Sequence, residues 1–156
     1  MPQSNDRTSP TTLVITRHFT APPQSVWKAH MQPALIRQWL RGDGGTTMAI
    51  CENDRRAGGA IHYEWRGPDG SRFSLTGTYE LIEAPHRSIH TEVMHLPDPT
   101  PPSRVETRFI AEGAATKLVL TMTLPDAATM DGLIASGMQR GLEGCYAILD
   151  VMGVAA

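Results

Sequence analysis

Residues 60–81 read AIHYEWRGPDGSRFSLTGTYEL, and their alternation decides the fold. In the first seven residues Ile61, Tyr63 and Trp65 take one parity, while His62, Glu64 and Arg66 take the other. Successive side chains on a strand point to opposite faces, so this is a strand with one apolar and one polar side. Gly67-Pro68-Asp69-Gly70 supplies turn chemistry, and a second alternating run follows with Phe73, Leu75, Gly77, Tyr79 and Leu81 inward. Two strands joined by so short a connection are antiparallel, because a parallel crossover needs about a dozen residues or more.

The same reading extends outward. From Thr46 to Leu124, turn signals at Gly58-Gly59, Ala84-Pro85, Pro97 to Pro102 and Glu112-Gly113 divide the chain into about six strands. Later strands place Val105, Thr107 and Phe109 inside, then Leu118, Leu120 and Met122. The run RSIHTEVMH (87–95) alternates less cleanly. Ile89, Thr91 and Val93 are its better inner set, which carries His95 inward and leaves His90 and Glu92 outside.

Upstream, LVITRHFT (13–20) is a further strand, and Pro22-Pro23 open a short helix to about Met31. Pro33 restarts a second helix carrying Leu35, Ile36, Trp39 and Leu40, which Gly42 to Gly45 end. Downstream, Pro125 to Met152 reads as one long amphipathic helix with Met130, Leu133, Met138, Leu142, Tyr146 and Leu149 on its stripe. The expected architecture is α+β: a curved antiparallel sheet of about seven strands wrapped around a long C-terminal helix, with two short helices between strands 1 and 2. A single domain over 12–156 is expected, preceded by a flexible polar tail over 1–11.

A chain of 156 residues with 14 Lys and Arg against 16 Asp and Glu carries a formal charge of −2. It can bury about two-thirds of its surface without a metal or disulfide staple. No dense basic block exists to hold a phosphate backbone, so nucleic acid is not an expected partner. No apolar run approaches the roughly 20 residues that span a bilayer, so membrane insertion is not expected either. Cys51 and Cys145, far apart and outside any CxxC pair, read as reduced, buried thiols of a cytoplasmic protein. His86, His90 and His95 share one segment, but the first two lie about 13 Å apart on an extended strand, so no shared metal is expected. No cofactor or catalytic nucleophile is read from the sequence, and Gly42-Asp43-Gly44-Gly45 follows a helix instead of opening one as a phosphate cradle would.

The inner surfaces combine large apolar groups with a few hydrogen-bonding ones. The candidate ligand-binding set is Trp39, Tyr63, Trp65, Phe73, Tyr79 and Thr91, together with His95, Thr107, Met122, Met138 and Leu142. A small-molecule pocket has this lining, and so does a filled core in which each Tyr or Trp finds a backbone partner. The last helix carries Gly132, Gly137, Gly141 and Gly144, each costing about 1 kcal/mol relative to Ala in a helix interior. Either that helix packs close against the sheet or the missing side chains leave room for a ligand.

Thr16-Arg17-x-Phe19-x-Ala21-Pro22, Val26-Trp27, Pro33-x-x-Ile36-x-x-Trp39, Arg56-x-Gly58-Gly59, Gly77-x-Tyr79, Pro85-x-Arg87 and Thr116-x-Leu118-x-Leu120 follow one another in order. In this order and spacing, from about Leu13 to Met152, the chain resembles the activator of heat shock protein 90 ATPase homologue family, within the START-like (SRPBCC) superfamily. The resemblance implies a helix-grip fold in which the sheet wraps the C-terminal helix around a cavity. It also implies departures at three sites: Leu40 and Glu92 stand where members frequently carry aromatics, and Met138 where many have Trp. Many bacterial-type members are single domains, as expected of a chain this long.

Three functions follow as expectations. The first is a non-catalytic binding module for a small apolar or aromatic molecule. The second is a cyclase, dehydratase or hydrolase using Tyr63, Tyr79 or His95 as proton donor in the same cavity. The third is a regulator of a heat-shock chaperone through an exposed patch, and a homodimer is open under each.

Overall fold

In the computed structural model, which describes residues 3–41, 44–96 and 98–152, every strand joins one antiparallel sheet. The elements are β1 (Ser4–Ser9), β2 (Thr12–Phe19), α1 (Pro23–Met31), α2 (Pro33–Trp39), β3 (Thr47–Asn53) and β4 (Ala60–Arg66). They continue with β5 (Arg72–Glu83), β6 (Arg87–His95), β7 (Ser103–Glu112), β8 (Ala115–Thr123), α3 (Ala127–Ala135) and α4 (Met138–Val151). The sheet order is β1-β2-β8-β7-β6-β5-β4-β3, so six consecutive strands form a meander and the N-terminal hairpin closes onto its last member. This is the helix-grip architecture.

The central hairpin forms as its alternation requires. Ile61, Tyr63 and Trp65 are buried, and they pair with Gly77, Leu75 and Phe73 across the turn. Both short helices begin on a proline, whose missing N–H falls where a helix has no internal partner to offer it. The main core joins α1, α2 and α4 to the sheet: Val26, Ile36, Trp39, Phe109, Leu118 and Tyr146 are each 2% exposed or less. A smaller core of Leu13, Ile15, Leu124 and Met130 holds α3 on β2.

The structure corrects three expectations. First, residues 4–9 of the expected tail form β1, paired along β2 from Ser4↔Thr16 to Ser9↔Thr12, which brings the sheet to eight strands. Its side chains are polar and largely exposed, so no alternation marks it. Backbone pairing and distant partners hold it instead: Arg7 Nη1 donates to Asp131 Oδ1 at 2.7 Å and the Gln3 amide to Gln139 O at 3.0 Å.

Second, the expected single C-terminal helix is two. Gly137 takes φ +79°, a left-handed conformation that stops α3, and its N–H donates back to Ile134 O at 3.2 Å. The apolar stripe runs through this break, so periodicity gave no sign of it. Third, β5 bulges between Tyr79 and Leu81, so Ile82 and not Leu81 packs on the core beyond that point. The expected loop residues Gly42, Asp43 and Pro97 lie outside the described residues. Among the described residues no helix is long and apolar enough to cross a membrane.

Candidate ligand-binding cavity

Between the inner face of the sheet and α4 lies a cavity of about 450 Å³. Tyr63, Trp65 and Tyr79 from the central hairpin form one wall, Thr107 and Met122 from β7 and β8 the opposite one. Trp39 from α2 and Met138 and Leu142 from α4 close it, and Phe73 stacks on Trp65 with ring centroids 5.0 Å apart. Nine of the expected residues thus meet around one space. The deep end is buried, with Tyr146 of α4 stacked on Trp39 at 5.6 Å and meeting Phe19 edge-on at 5.3 Å. Toward Arg41, Thr46 and Gly141 the lining becomes more exposed, and these residues mark the rim.

Thr91 and His95 do not line this cavity. In the β5–β6 ladder Tyr79 faces His90, Gly77 faces Glu92 and Leu75 faces Met94. Directly opposed residues share a face, so Ser88, His90, Glu92 and Met94 turn inward and the odd-numbered set turns out. On the outer face His95 Nε2 lies 3.0 Å from Thr76 Oγ1, which removes His95 as a proton donor in the cavity. The physical reason is local. Ile89 and Val93 outweigh Ser88 and Met94 in hydrophobicity, yet the pairing of β6 with the strongly patterned β5 sets its parity. The usable signal was Tyr79, whose cross-strand neighbour must look the same way.

Several polar groups of the lining are already engaged. Trp39 Nε1 donates to Ala29 O at 2.9 Å and Trp65 Nε1 to Leu40 O at 2.6 Å. The Tyr79 hydroxyl donates to Met31 Sδ at 3.5 Å, while the Tyr63 hydroxyl accepts from Asn53 Nδ2 at 3.2 Å. Burial raises the pKa of Tyr79 to about 12 and pushes Tyr63 up still further, so both phenols stay neutral at physiological pH.

His30, which the sequence did not mark as a site residue, also lines the cavity. Its Nδ1–H donates to Val26 O at 2.8 Å, and Nε2 is buried without a partner. Trp39, Phe109 and Tyr146 surround the ring at centroid distances of 4.8, 5.1 and 6.1 Å. Burial lowers its pKa to about 4 against the opposing effect of the backbone hydrogen bond, so His30 is a neutral wall group. Besides Arg41 at the rim, the lining carries one charged group deeper in: His90 Nε2 donates to Glu92 Oε1 at 2.7 Å, the two side chains being 17% and 15% exposed.

The glycines of the last helix now divide. A Cβ at Gly141 or Gly144 would meet no atom within 4 Å, so close packing does not explain them. Gly141 lines the cavity, and the side chain it lacks leaves open space there. Gly77 is the reverse case: a Cβ would stand 2.3 Å from the Thr91 carbonyl oxygen, so only glycine fits beside Glu92.

The family model described as "Activator of Hsp90 ATPase homolog 1-like protein" matches residues 20–152. A crystal structure from Rhodobacter sphaeroides is 32% identical, covers 97% of each chain and superposes with a TM-score of 0.92. A protein from Rhizobium leguminosarum is 27% identical over 96% of this chain and 99% of its own, with a TM-score of 0.74. Protein Ms6760 from Mycobacterium smegmatis is similar in fold, at 21% identity over 97% and 96% with a TM-score of 0.85. No curated protein matches the sequence.

Proposed function

Because the chain belongs to the Activator of Hsp90 ATPase homolog 1-like family, a START-like group, we propose that it is a non-catalytic binding protein for a small apolar or aromatic molecule. The observation that carries this reading is the cavity itself. At about 450 Å³ it falls within the roughly 300–1,000 Å³ usual for small-molecule sites, and its walls are largely aromatic and aliphatic. The tyrosines in it are neutral and the indole N–H groups are tied to backbone, which suits a stable lining better than proton transfer. A chaperone-docking role draws less support. Among the described residues the large apolar side chains most open to solvent, Leu96, Ile110 and Val151, sit on three different parts of the fold.

The test is a thermal-shift screen with aromatic and lipid-like compounds. A ligand at about 100 times its Kd stabilises the folded form by roughly 2.7 kcal/mol. Leu142→Trp, which fills the cavity from α4, is expected to fold and to lose that response. A screen without any stabilising compound, or a response undiminished in the Trp variant, counts against the proposal.

A further inference from the structure

The inward face of β6 gives this cavity a chemical preference. Glu92 stands in its wall among aromatic and aliphatic groups, with His90 Nε2 donating to Oε1 at 2.7 Å. A carboxylate has about four lone-pair positions, and this contact fills one. Gly77, directly across the ladder, brings no side chain to the space beside it. Most nearby donors are committed elsewhere: the indoles of Trp39 and Trp65 to backbone carbonyls, His30 Nδ1–H to Val26 and the Tyr79 hydroxyl to Met31, while the neutral Tyr63 hydroxyl accepts from Asn53 and keeps its own O–H to donate. The Ser88 and Thr107 hydroxyls serve as donor or acceptor, and Arg41 is exposed at the rim. The fixed charge offered to the interior is therefore an acceptor.

Filling this space strips water from Glu92, and a buried charge that loses its hydrogen bonds is strongly destabilised. A ligand with a donor restores the lost bond; a ligand with a carboxylate adds a like charge. We propose that the cavity selects molecules with an aromatic or apolar body and a hydrogen-bond donor, hydroxyl or ammonium, seated on Glu92, and that it discriminates against the matching carboxylates. This rests on the reading of the cavity as a binding site.

The experiment titrates wild-type protein and Glu92→Gln with four probes of one shape: 2-naphthol, 2-naphthylmethylamine, 2-naphthoate and 2-methylnaphthalene. Binding is followed at neutral pH by nuclear magnetic resonance shift changes. Wild type is expected to bind naphthol or the amine at least tenfold more tightly than naphthoate and methylnaphthalene. Whichever of the two is tighter tells a neutral hydroxyl from an ammonium as the preferred donor. In Glu92→Gln the preference for the amine is expected to vanish, and that of naphthol over naphthoate to shrink below threefold. If that variant does not fold, the wild-type order decides. Naphthoate binding as tightly as naphthol places the anchor at Arg41 and overturns the inference. Equal affinity for all four overturns the selectivity while leaving the binding cavity intact. No binding by any probe overturns both.

Discussion

Replacing Gly144 and Gly141 by Ala tests the open space beside α4. A methyl group at either position meets no atom within 4 Å, and neither glycine has a left-handed φ. Ala therefore gains helix propensity without steric cost, about 1 kcal/mol at Gly144 in the helix interior. At Gly141, one turn from the N-terminal end, the gain is smaller, about 0.5 kcal/mol. The double variant should be stabilised by about 1.5 kcal/mol, raising Tm by roughly 3–6 °C for a domain of this size. Urea denaturation followed by circular dichroism reads the difference. The contrast is Gly77→Ala, whose Cβ would lie 2.3 Å from a backbone oxygen of β6 and force the strands apart. That change should cost about 2 kcal/mol or more. Loss of stability in Gly141→Ala or Gly144→Ala would refute the reasoning, because it would mean that α4 lies tightly on the sheet and the cavity is filled.

Two further outcomes follow from buried charge and its absence. His30 has its pKa lowered to about 4, so between pH 6.5 and 4 the unfolded chain binds a proton that the native one does not. Stability then rises with pH across that window and is lost as pH falls. Wild type should lose about 2 kcal/mol from this group between pH 7 and 5, and His30→Asn should show a correspondingly flatter profile in urea melts; parallel profiles would contradict it. Arg17 of β2 is 4% exposed in its side chain and pairs through Nη2 with Asp150 Oδ2 of α4 at 2.6 Å. Asp150→Asn leaves the guanidinium without its counter-charge. Breaking a fully buried pair costs about 3–5 kcal/mol, and solvent reaching the Asp150 side reduces this to about 2 kcal/mol in a denaturant melt; an unchanged midpoint would show that the pair does not hold α4.

How much was legible depended on whether the signal was local. Ile61, Tyr63, Trp65, Leu75 and Tyr79 alternate so strongly that strand, turn and inner face follow from residue order alone. The prolines at 22, 23 and 33 placed both short helices for an equally local reason, since a proline ring fixes φ and removes a donor. Gly137 was visible as a residue but not as a stop, because a helix stripe with matching spacing on both sides conceals one left-handed residue.

The sequence by itself determined the class of fold and most of the cavity wall, because apolar periodicity is written into single segments. Only the tertiary structure decided that β1 exists, that Gly141 borders open space and that Glu92 and His90 face inward. Each of these depends on which backbone lies beside another. β6, with apolar residues of both parities, takes its facing from hydrogen-bonded register with β5, and a one-residue choice there turns every side chain of the strand to the opposite face.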